Sequence, residues 1–189
     1  MKTNTTGRIL MAAALLLGAG VAGAADKKAA SGPETDAALA NSVRHEVIMY
    51  ANYSIWDDVA IESTNGNVHL AGVVLDPTEK VVIGRLAQHV AGVVQVENDI
   101  RVLPTSIEDD RLRLRIARAI YRDPSMRAYA DQPLKPIHVI VENGHVTLAG
   151  VVSTQFDKEI AGMRASSAGM SFGPVVNNLR VENPPAKKS

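Results

Sequence analysis

The chain has 189 residues with 20 basic and 20 acidic side chains, so it carries no formal net charge at pH 7 when its histidines are neutral. This balance excludes a bulk electrostatic attraction to nucleic acid or to anionic membranes, and any such binding must come from a local patch. Cysteine is absent, which excludes disulfides, cysteine nucleophiles and a lipid anchor attached to a cysteine.

The first 25 residues are predicted to be a cleaved secretory signal peptide. Lys2 and Arg8 precede an apolar run of about a dozen residues, and Ala22 and Ala24 form the small-residue pattern of a cleavage site. The run is shorter than the roughly 20 residues that a membrane-spanning helix needs, although an uncleaved anchor is the alternative. Cleavage leaves 18 basic and 20 acidic residues, a charge of 18 − 20 = −2. We expect a flexible segment over residues 26–35 and a disordered tail over residues 183–189.

The remainder of the chain contains a duplication. Residues 65–74 (NGNVHLAGVV) and residues 143–152 (NGHVTLAGVV) are identical at eight of ten positions, 78 residues apart. The copies predict two small domains, residues 36–103 and residues 107–182, with residues 104–106 as the linker. Each copy is large enough for a core of its own, unlike the units of a solenoid.

The first copy is predicted to follow the order α-β-β-α-β. Its first helix is indicated by apolar residues at helical spacing, Leu39, Val43, Val47 and Tyr50. Alternating polarity around Val59 to Ser63 predicts a strand, and Asn65 with Gly66 predicts a type I′ hairpin turn into a second strand.

A second helix should start at Asp76, which is followed by a proline and by an acidic residue at the third helical position. Its predicted buried stripe is Val82, Leu86 and Val90. The last strand, residues 93–102, should run parallel to the second strand after a right-handed crossover.

The second copy repeats this plan. Its first helix and first strand are predicted from apolar residues at the matching periods, Leu112, Ile116 and Ile120, then Ile137, Val139 and Val141. The second helix, from about Thr154 to Ser167, is rich in small residues, so its backbone should lie close to the sheet or to the other domain. The sequence therefore predicts an α+β protein of two units, each a three-stranded mixed sheet with two helices on one face.

Two motifs recur in both copies. The motif Gly-x-Val-x-Leu-x-Gly-x-Val occupies residues 66–74 and 144–152, and Val-x-Asn-x-(Leu/Ile)-x-Val occupies residues 96–102 and 175–181. With a secretory signal, this pattern resembles the tandem BON domain proteins of bacterial envelopes, including the osmotically inducible periplasmic family. The resemblance implies a periplasmic, non-enzymatic protein linked to osmotic stress, envelope integrity and phospholipid binding.

The resemblance also assigns a structural motif, which consists of Gly66, Gly72, Gly144 and Gly150. We expect Gly72 and Gly150 to serve strand exit and close helix packing. The chain departs from the family after the second helix, where a Val-Pro-Gly-Val turn is common. The first copy reads VAGV at residues 90–93, and the second has a different turn, which includes the loop from Met170 to Pro174.

No catalytic residue, metal site or cofactor is predicted. The chain lacks a Gly-x-Ser-x-Gly elbow, a His-Glu-x-x-His motif and a glycine-rich phosphate loop. His45 with Glu46 is typical of a solvated pair, and His69 opposite Glu62 is typical of a cross-strand polar pair. We therefore expect a protein that is not an enzyme.

Four arginines on the first helix of the second copy form the candidate binding site, Arg111, Arg115, Arg118 and Arg122. Their spacings of 4, 3 and 4 residues place them within roughly 60° of one another around a helix. A guanidinium group can donate two hydrogen bonds to one phosphate, and the resemblance implies anionic phospholipid as the ligand.

The first copy offers only Arg44 in the comparable region, so the second domain should bind lipid alone. The alternative is a solvated helix face whose arginines pair with Glu108, Asp109 or Asp110. The nearby aromatic residues, Tyr121 and Tyr129, lie either at headgroup depth or in the core.

These observations favour a soluble periplasmic protein that is not a lipoprotein and binds anionic phospholipid membranes peripherally and reversibly. Its expected role is in envelope integrity and the osmotic stress response. The alternative is a chaperone-like or scaffold module that binds envelope proteins through apolar patches or sheet edges. Export argues against a nucleic-acid partner.

Overall fold

The structure is a computed structural model that describes residues 33–169 and 172–182. The predicted signal peptide, most of the predicted flexible segment, the predicted tail and part of the loop from Met170 to Pro174 lie outside these residues. The described chain confirms the predicted α+β class and forms two units in the predicted order.

The first unit comprises α1 (Pro33–Ile48), β1 (Asp58–Thr64), β2 (Asn67–Val74), α2 (Pro77–His89) and β3 (Gln95–Val102). The second unit begins with α3 (Ile107–Tyr121), a 3-10 helix (Pro124–Met126) and α4 (Arg127–Ala130). It continues with β4 (Ile137–Glu142), β5 (His145–Val152), α5 (Gln155–Ser167), β6 (Val176–Asn177) and β7 (Arg180–Val181).

The first sheet has the order β1-β2-β3 and confirms the predicted hairpin and crossover. β1 and β2 are antiparallel with Thr64 opposite Asn67, and β2 and β3 are parallel. Asn65 and Gly66 have φ of 52° and 80°, as a type I′ turn requires. Asn143 and Gly144 repeat this geometry between β4 and β5, with φ of 52° and 77°.

The second sheet differs in its third strand. β6 and β7 are two residues each, and both pair parallel to β5, whereas β3 in the first unit is eight residues long. Residues 178 and 179 separate the two short strands. The sequence had signalled this difference through its changed turn after the second helix.

Each unit has its own apolar core between the helices and one sheet face. The first core includes Val43, Val47, Leu70, Ile83 and Ala87, all buried. The predicted stripe of α2 was therefore wrong by one position. The capping box of Asp76 and Glu79 fixes the start of the helix so that Ile83 and Ala87 face the sheet. The side chains predicted to be buried, Val82, Leu86 and Val90, are only half-buried.

Gly72 and Gly150 play a different part from the one predicted. A Cβ atom at Gly72 would lie 2.1 Å from the carbonyl oxygen of Asp58, and one at Gly150 would lie 1.9 Å from that of Pro136. Their φ values, 122° and 107°, also favour glycine. These glycines therefore admit the neighbouring strand's backbone and not a helix.

Close helix packing falls to Gly84 on α2 and Gly162 on α5. A Cβ atom there would lie 2.6 Å from the Asn98 amide nitrogen or 2.7 Å from that of Asn177. Each asparagine donates a hydrogen bond to a helix carbonyl, that of Lys80 at 2.9 Å or Lys158 at 2.7 Å. The small residues of α5 thus bring it close to its own sheet, which is one of the two predicted possibilities.

The two units contact each other through their open sheet faces and one loop. Val73 and Leu103 of the first unit pack against Ile140 of the second. Arg101 donates two hydrogen bonds to Glu142, at 3.0 and 3.2 Å. The Val139 amide donates to the Ile55 carbonyl at 2.7 Å, so the loop before β1 covers part of the edge of β4.

Candidate functional site

The arginine-bearing helix α3 starts at a well-formed N-cap. The Ser106 hydroxyl accepts a hydrogen bond from the Asp109 amide at 3.2 Å, and three acidic residues occupy the first turn. Leu112, Ile116 and Ile120 then follow at a spacing of four, and all three are buried against the sheet. Local capping and tertiary burial therefore both favour this helix.

Two buried polar side chains lock α3 onto the β4-β5 hairpin. The Asp109 carboxylate accepts hydrogen bonds from the Asn143 and Gly144 amides, both at 2.8 Å. Arg113 is 2% exposed and donates to the Val141 carbonyl and to the Asp110 carboxylate. Because these contacts fix the rotation of the helix about its axis, they also fix which residues face away from the sheet.

The four predicted arginines all lie on that outer face and are exposed. Arg111 pairs with Glu108 at 2.7 Å. The other three form no ion pair with any residue that the structure describes. The predicted alternative, pairing with the acidic first turn, therefore holds for one arginine. Asp109 and Asp110 are already engaged elsewhere.

Two apolar side chains flank these arginines. Ile107 is 70% exposed and Leu114 is 45% exposed. At about 100° per residue, they lie roughly 40° and 60° from Arg111 around the helix axis. The sequence analysis missed them, although the same angular count identifies them. We call the exposed surface formed by the four arginines, Ile107 and Leu114 the arginine face.

The arginine face combines the two properties of an interfacial membrane-binding surface. Its guanidinium groups can donate paired hydrogen bonds to phosphate oxygens. Its apolar side chains can contact the boundary between headgroups and acyl chains. Nothing in this chemistry requires a metal, a cofactor or a nucleophile.

The two tyrosines near α3 belong to the core and not to this surface. Tyr129 is buried, and its hydroxyl donates to the Asp157 carboxylate and accepts from the Ser153 amide, both at 2.8 Å. The Tyr121 hydroxyl donates to the Ile137 carbonyl at 2.7 Å, and burial raises the pKa of this phenol. The headgroup interpretation of these residues is therefore wrong.

The other polar residues singled out from the sequence do not converge. Glu62 lies opposite His69, as predicted, but the His69 ring contacts Asp99 on β3 at 2.9 Å, and this bond raises the pKa of His69. Within residues 33–169 and 172–182, no group of three or more histidine and acidic side chains is arranged to hold a metal ion. In the same ranges, no helix has the length and apolar character needed to cross a membrane.

Comparisons with known proteins give a family match. The sequence model of the BON domain family matches residues 35–104 and residues 108–183. No curated protein matches the chain.

Two solved structures of CdsD, a structural protein of the type III secretion system of Chlamydia trachomatis, are similar in part. One, of its C-terminal domain, is 13% identical over 76% of this chain and 64% of that chain, and the other is 14% identical over 77% and 61%. Both have a TM-score of 0.30. The chain therefore spans less than two thirds of the solved structures that it matches, and these likenesses carry no functional argument.

Proposed function

The chain belongs to the BON domain family, and from this membership we propose that it is a non-enzymatic protein of the bacterial envelope that binds anionic phospholipid. Its proposed location is the periplasm, after cleavage of the signal peptide over residues 1–25. The proposed role is peripheral, reversible membrane association that contributes to envelope integrity and the osmotic stress response. The family as a whole is generally non-catalytic, which agrees with this role.

One observation carries the proposal. Arg115, Arg118 and Arg122 are exposed on one side of α3 and make no ion pair in the part of the chain that the structure describes. Unpaired cations on a rigid helix lose little side-chain pairing energy when they meet a phosphate. The exposed Ile107 and Leu114 add apolar contact beside them.

Cosedimentation with vesicles tests the proposal. The chain from residue 26 is mixed with vesicles of phosphatidylglycerol or of phosphatidylcholine, at 50 mM and at 500 mM salt. We expect binding to phosphatidylglycerol alone, and we expect it to weaken steeply at the higher salt because surface charges are screened. Each arginine near an anionic surface contributes about 1 kcal/mol, so Arg115→Gln/Arg118→Gln/Arg122→Gln should weaken binding roughly 100-fold.

The first unit supplies a matched control. Arg44→Gln/Lys80→Gln/Arg85→Gln removes the same charge from α1 and α2 and should leave binding unchanged within about twofold. Equal losses in the two triple variants would show that net charge, and not the arginine face, controls binding. Absence of binding to either lipid would refute the phospholipid function.

A second candidate function is protein binding, as a chaperone-like helper or a scaffold. The observation that favours it is an apolar outer face on α5, where Phe156 and Met163 are 62% and 59% exposed. They are seven residues apart, two helical turns, so they share one side of the helix. Suppression of aggregation of a heat-unfolded client protein tests this candidate. Suppression that persists at 500 mM salt and is lost in Phe156→Ser/Met163→Ser would support it.

A further inference from the structure

A cleft of about 570 Å³ lies where the two units meet, away from the arginine face. The first unit lines it with the end of α1, residues 53–56 and the start of β1. The second unit lines it with residues 133–136, His138 on β4, the end of β5 and Arg180 on β7. Its size falls within the range of about 300–1,000 Å³ that is typical of small-molecule sites.

The cleft is preformed because the loop that builds it is rigid. Asp57 is fully buried, and its carboxylate accepts hydrogen bonds from the Ser54 and Leu75 amides, both at 2.9 Å. The Asp57 carbonyl in turn accepts a hydrogen bond from Nδ1 of His138 on the second unit. One residue thus ties the loop to both units.

The inner walls of the cleft are apolar and aromatic. Tyr53 and Trp56 line it from the first unit, and Leu134 and Val151 line it from the second. The Tyr53 ring contacts the His138 ring, with centroids 5.7 Å apart, and the Tyr53 hydroxyl accepts from the Val59 amide at 3.4 Å. The aromatic wall is therefore held in place before any ligand arrives.

The charged groups that line the cleft are mostly positive. Arg44, Lys135 and Arg180 contribute three cations, and none of them forms an ion pair with a residue that the structure describes. Asp58 is the one carboxylate in the lining. Burial raises the pKa of Asp58, while the positive charges of His138 and Arg180 act in the opposite direction. An excess of two positive charges remains when His138 is neutral.

We propose that this cleft binds a single-chain anionic amphiphile, a molecule with one apolar chain and a carboxylate or phosphate head group. The head group lies beside Arg180, Lys135 and Arg44, and the chain lies along Tyr53, Trp56 and Leu134. Charge complementarity selects the anion, and the aromatic walls select the chain. This site is distinct from the arginine face, which binds the surface of a bilayer and not a single molecule.

Trp56 provides the readout because it is the only tryptophan of the chain. Its fluorescence is followed while the full chain is titrated with dodecanoate or dodecyl phosphate below their micellar concentrations. Dodecyltrimethylammonium and dodecyl maltoside serve as cationic and neutral controls with the same chain length. We expect saturation at one anionic amphiphile per protein chain and no saturable change with the controls. The stronger of the two anions identifies the head group.

Variants localise the binding. Arg180→Gln/Lys135→Gln should weaken dodecanoate binding at least tenfold, whereas Arg180→Lys should retain it within about threefold. Arg85→Gln, an exposed arginine on α2 outside the cleft, should change nothing. Arg115→Gln/Arg118→Gln/Arg122→Gln should lose vesicle binding and keep dodecanoate binding, so the two sites can fail independently. A non-saturable signal, an equal response to the cationic amphiphile, or full binding by Arg180→Gln/Lys135→Gln would overturn the proposal.

Discussion

The two helices α1 and α3 occupy the same place on their sheets but present different outer faces. Val43 and Val47 on α1 are buried in the first core, and Ile116 and Ile120 on α3 are buried in the second. The outer face of α3 carries four arginines, whereas Arg44 on α1 is half-buried and donates to Asn41 at 2.8 Å. The duplicated fold thus constrains the inward side chains and leaves the outer face free to acquire a function.

The turns after α2 and α5 show the same division. In the first unit the Val94 amide donates to the Gly66 carbonyl at 2.8 Å, and in the second the Phe172 amide donates to the Gly144 carbonyl at 3.1 Å. Val94 and Phe172 are 78 residues apart, so the extra residue of the second copy falls after Phe172. The contact that closes the hairpin is retained, while the strand beyond it is split into β6 and β7.

The largest effect should come from the glycines that both copies share. We expect Gly72→Ala and Gly150→Ala each to lower the free energy of unfolding by at least about 2 kcal/mol, through backbone strain and a clash with a carbonyl oxygen. Gly92→Ala is the control, since Gly92 also has positive φ, 97°, but its nearest contact would be 3.6 Å away. Urea denaturation measures all three. Unequal losses at Gly72 and Gly150 would break the equivalence of the two units.

The next effect separates arginines by position. Arg113→Ala should lower the free energy of unfolding by about 3 kcal/mol, because it leaves the Val141 carbonyl and a cavity without a partner. Arg113→Met should recover much of this loss, since Nε of Arg113 already lacks a hydrogen bond. Urea denaturation and vesicle cosedimentation are measured together. Neither variant should change the lipid affinity, because Arg113 faces the core.

Arg115→Ala is the matched opposite. It should leave stability within about 0.5 kcal/mol and weaken vesicle binding several-fold. A loss of vesicle binding in Arg113→Met would show that α3 acts through its overall charge and not through its outer face.

The repeat and its periodicity predicted the fold closely, because hairpin dipeptides, capping boxes and apolar spacing are local signals. The outward direction of Arg111, Arg115, Arg118 and Arg122 followed from the same spacing. Two features lacked a local signal. The role of Gly72 depends on the backbone of another strand, and the cleft joins side chains as far apart as Arg44 and Arg180. Contacts of that kind follow only from how the units pack together.

A pH effect should distinguish the first unit from the second. Burial and the neighbouring Asp57 raise the pKa of Glu79 from 4.5 to about 7. The residue 78 positions after Asp57 is Lys135, so the second unit has no equivalent pair of carboxyl groups. The folded state then binds a proton more tightly than the unfolded state. Stability should therefore fall as pH rises from about 4.5 to about 7 and level off above that.

Glu79→Gln isolates this contribution. The difference in urea midpoint between the parent chain and the variant should change steadily from pH 4.5 to pH 7. His69 also has a raised pKa, and its stabilising effect is lost as pH rises through that value, but it is present in both chains and cancels in the difference. A difference that is independent of pH would contradict the buried state of Glu79.

The smallest effect concerns the one arginine of the arginine face that is paired. Glu108 and Arg111 form an exposed pair, with 77% and 63% of their side chains exposed, and such pairs contribute little to stability. Glu108→Gln should therefore raise the affinity for phosphatidylglycerol vesicles about two- to fivefold, because it releases Arg111 and removes a nearby negative charge. Glu46→Gln, an exposed acidic residue on α1, should leave the affinity unchanged. If both substitutions raise it equally, the effect belongs to net charge. If only Glu108→Gln does, the four arginines act as one surface that the first unit lacks.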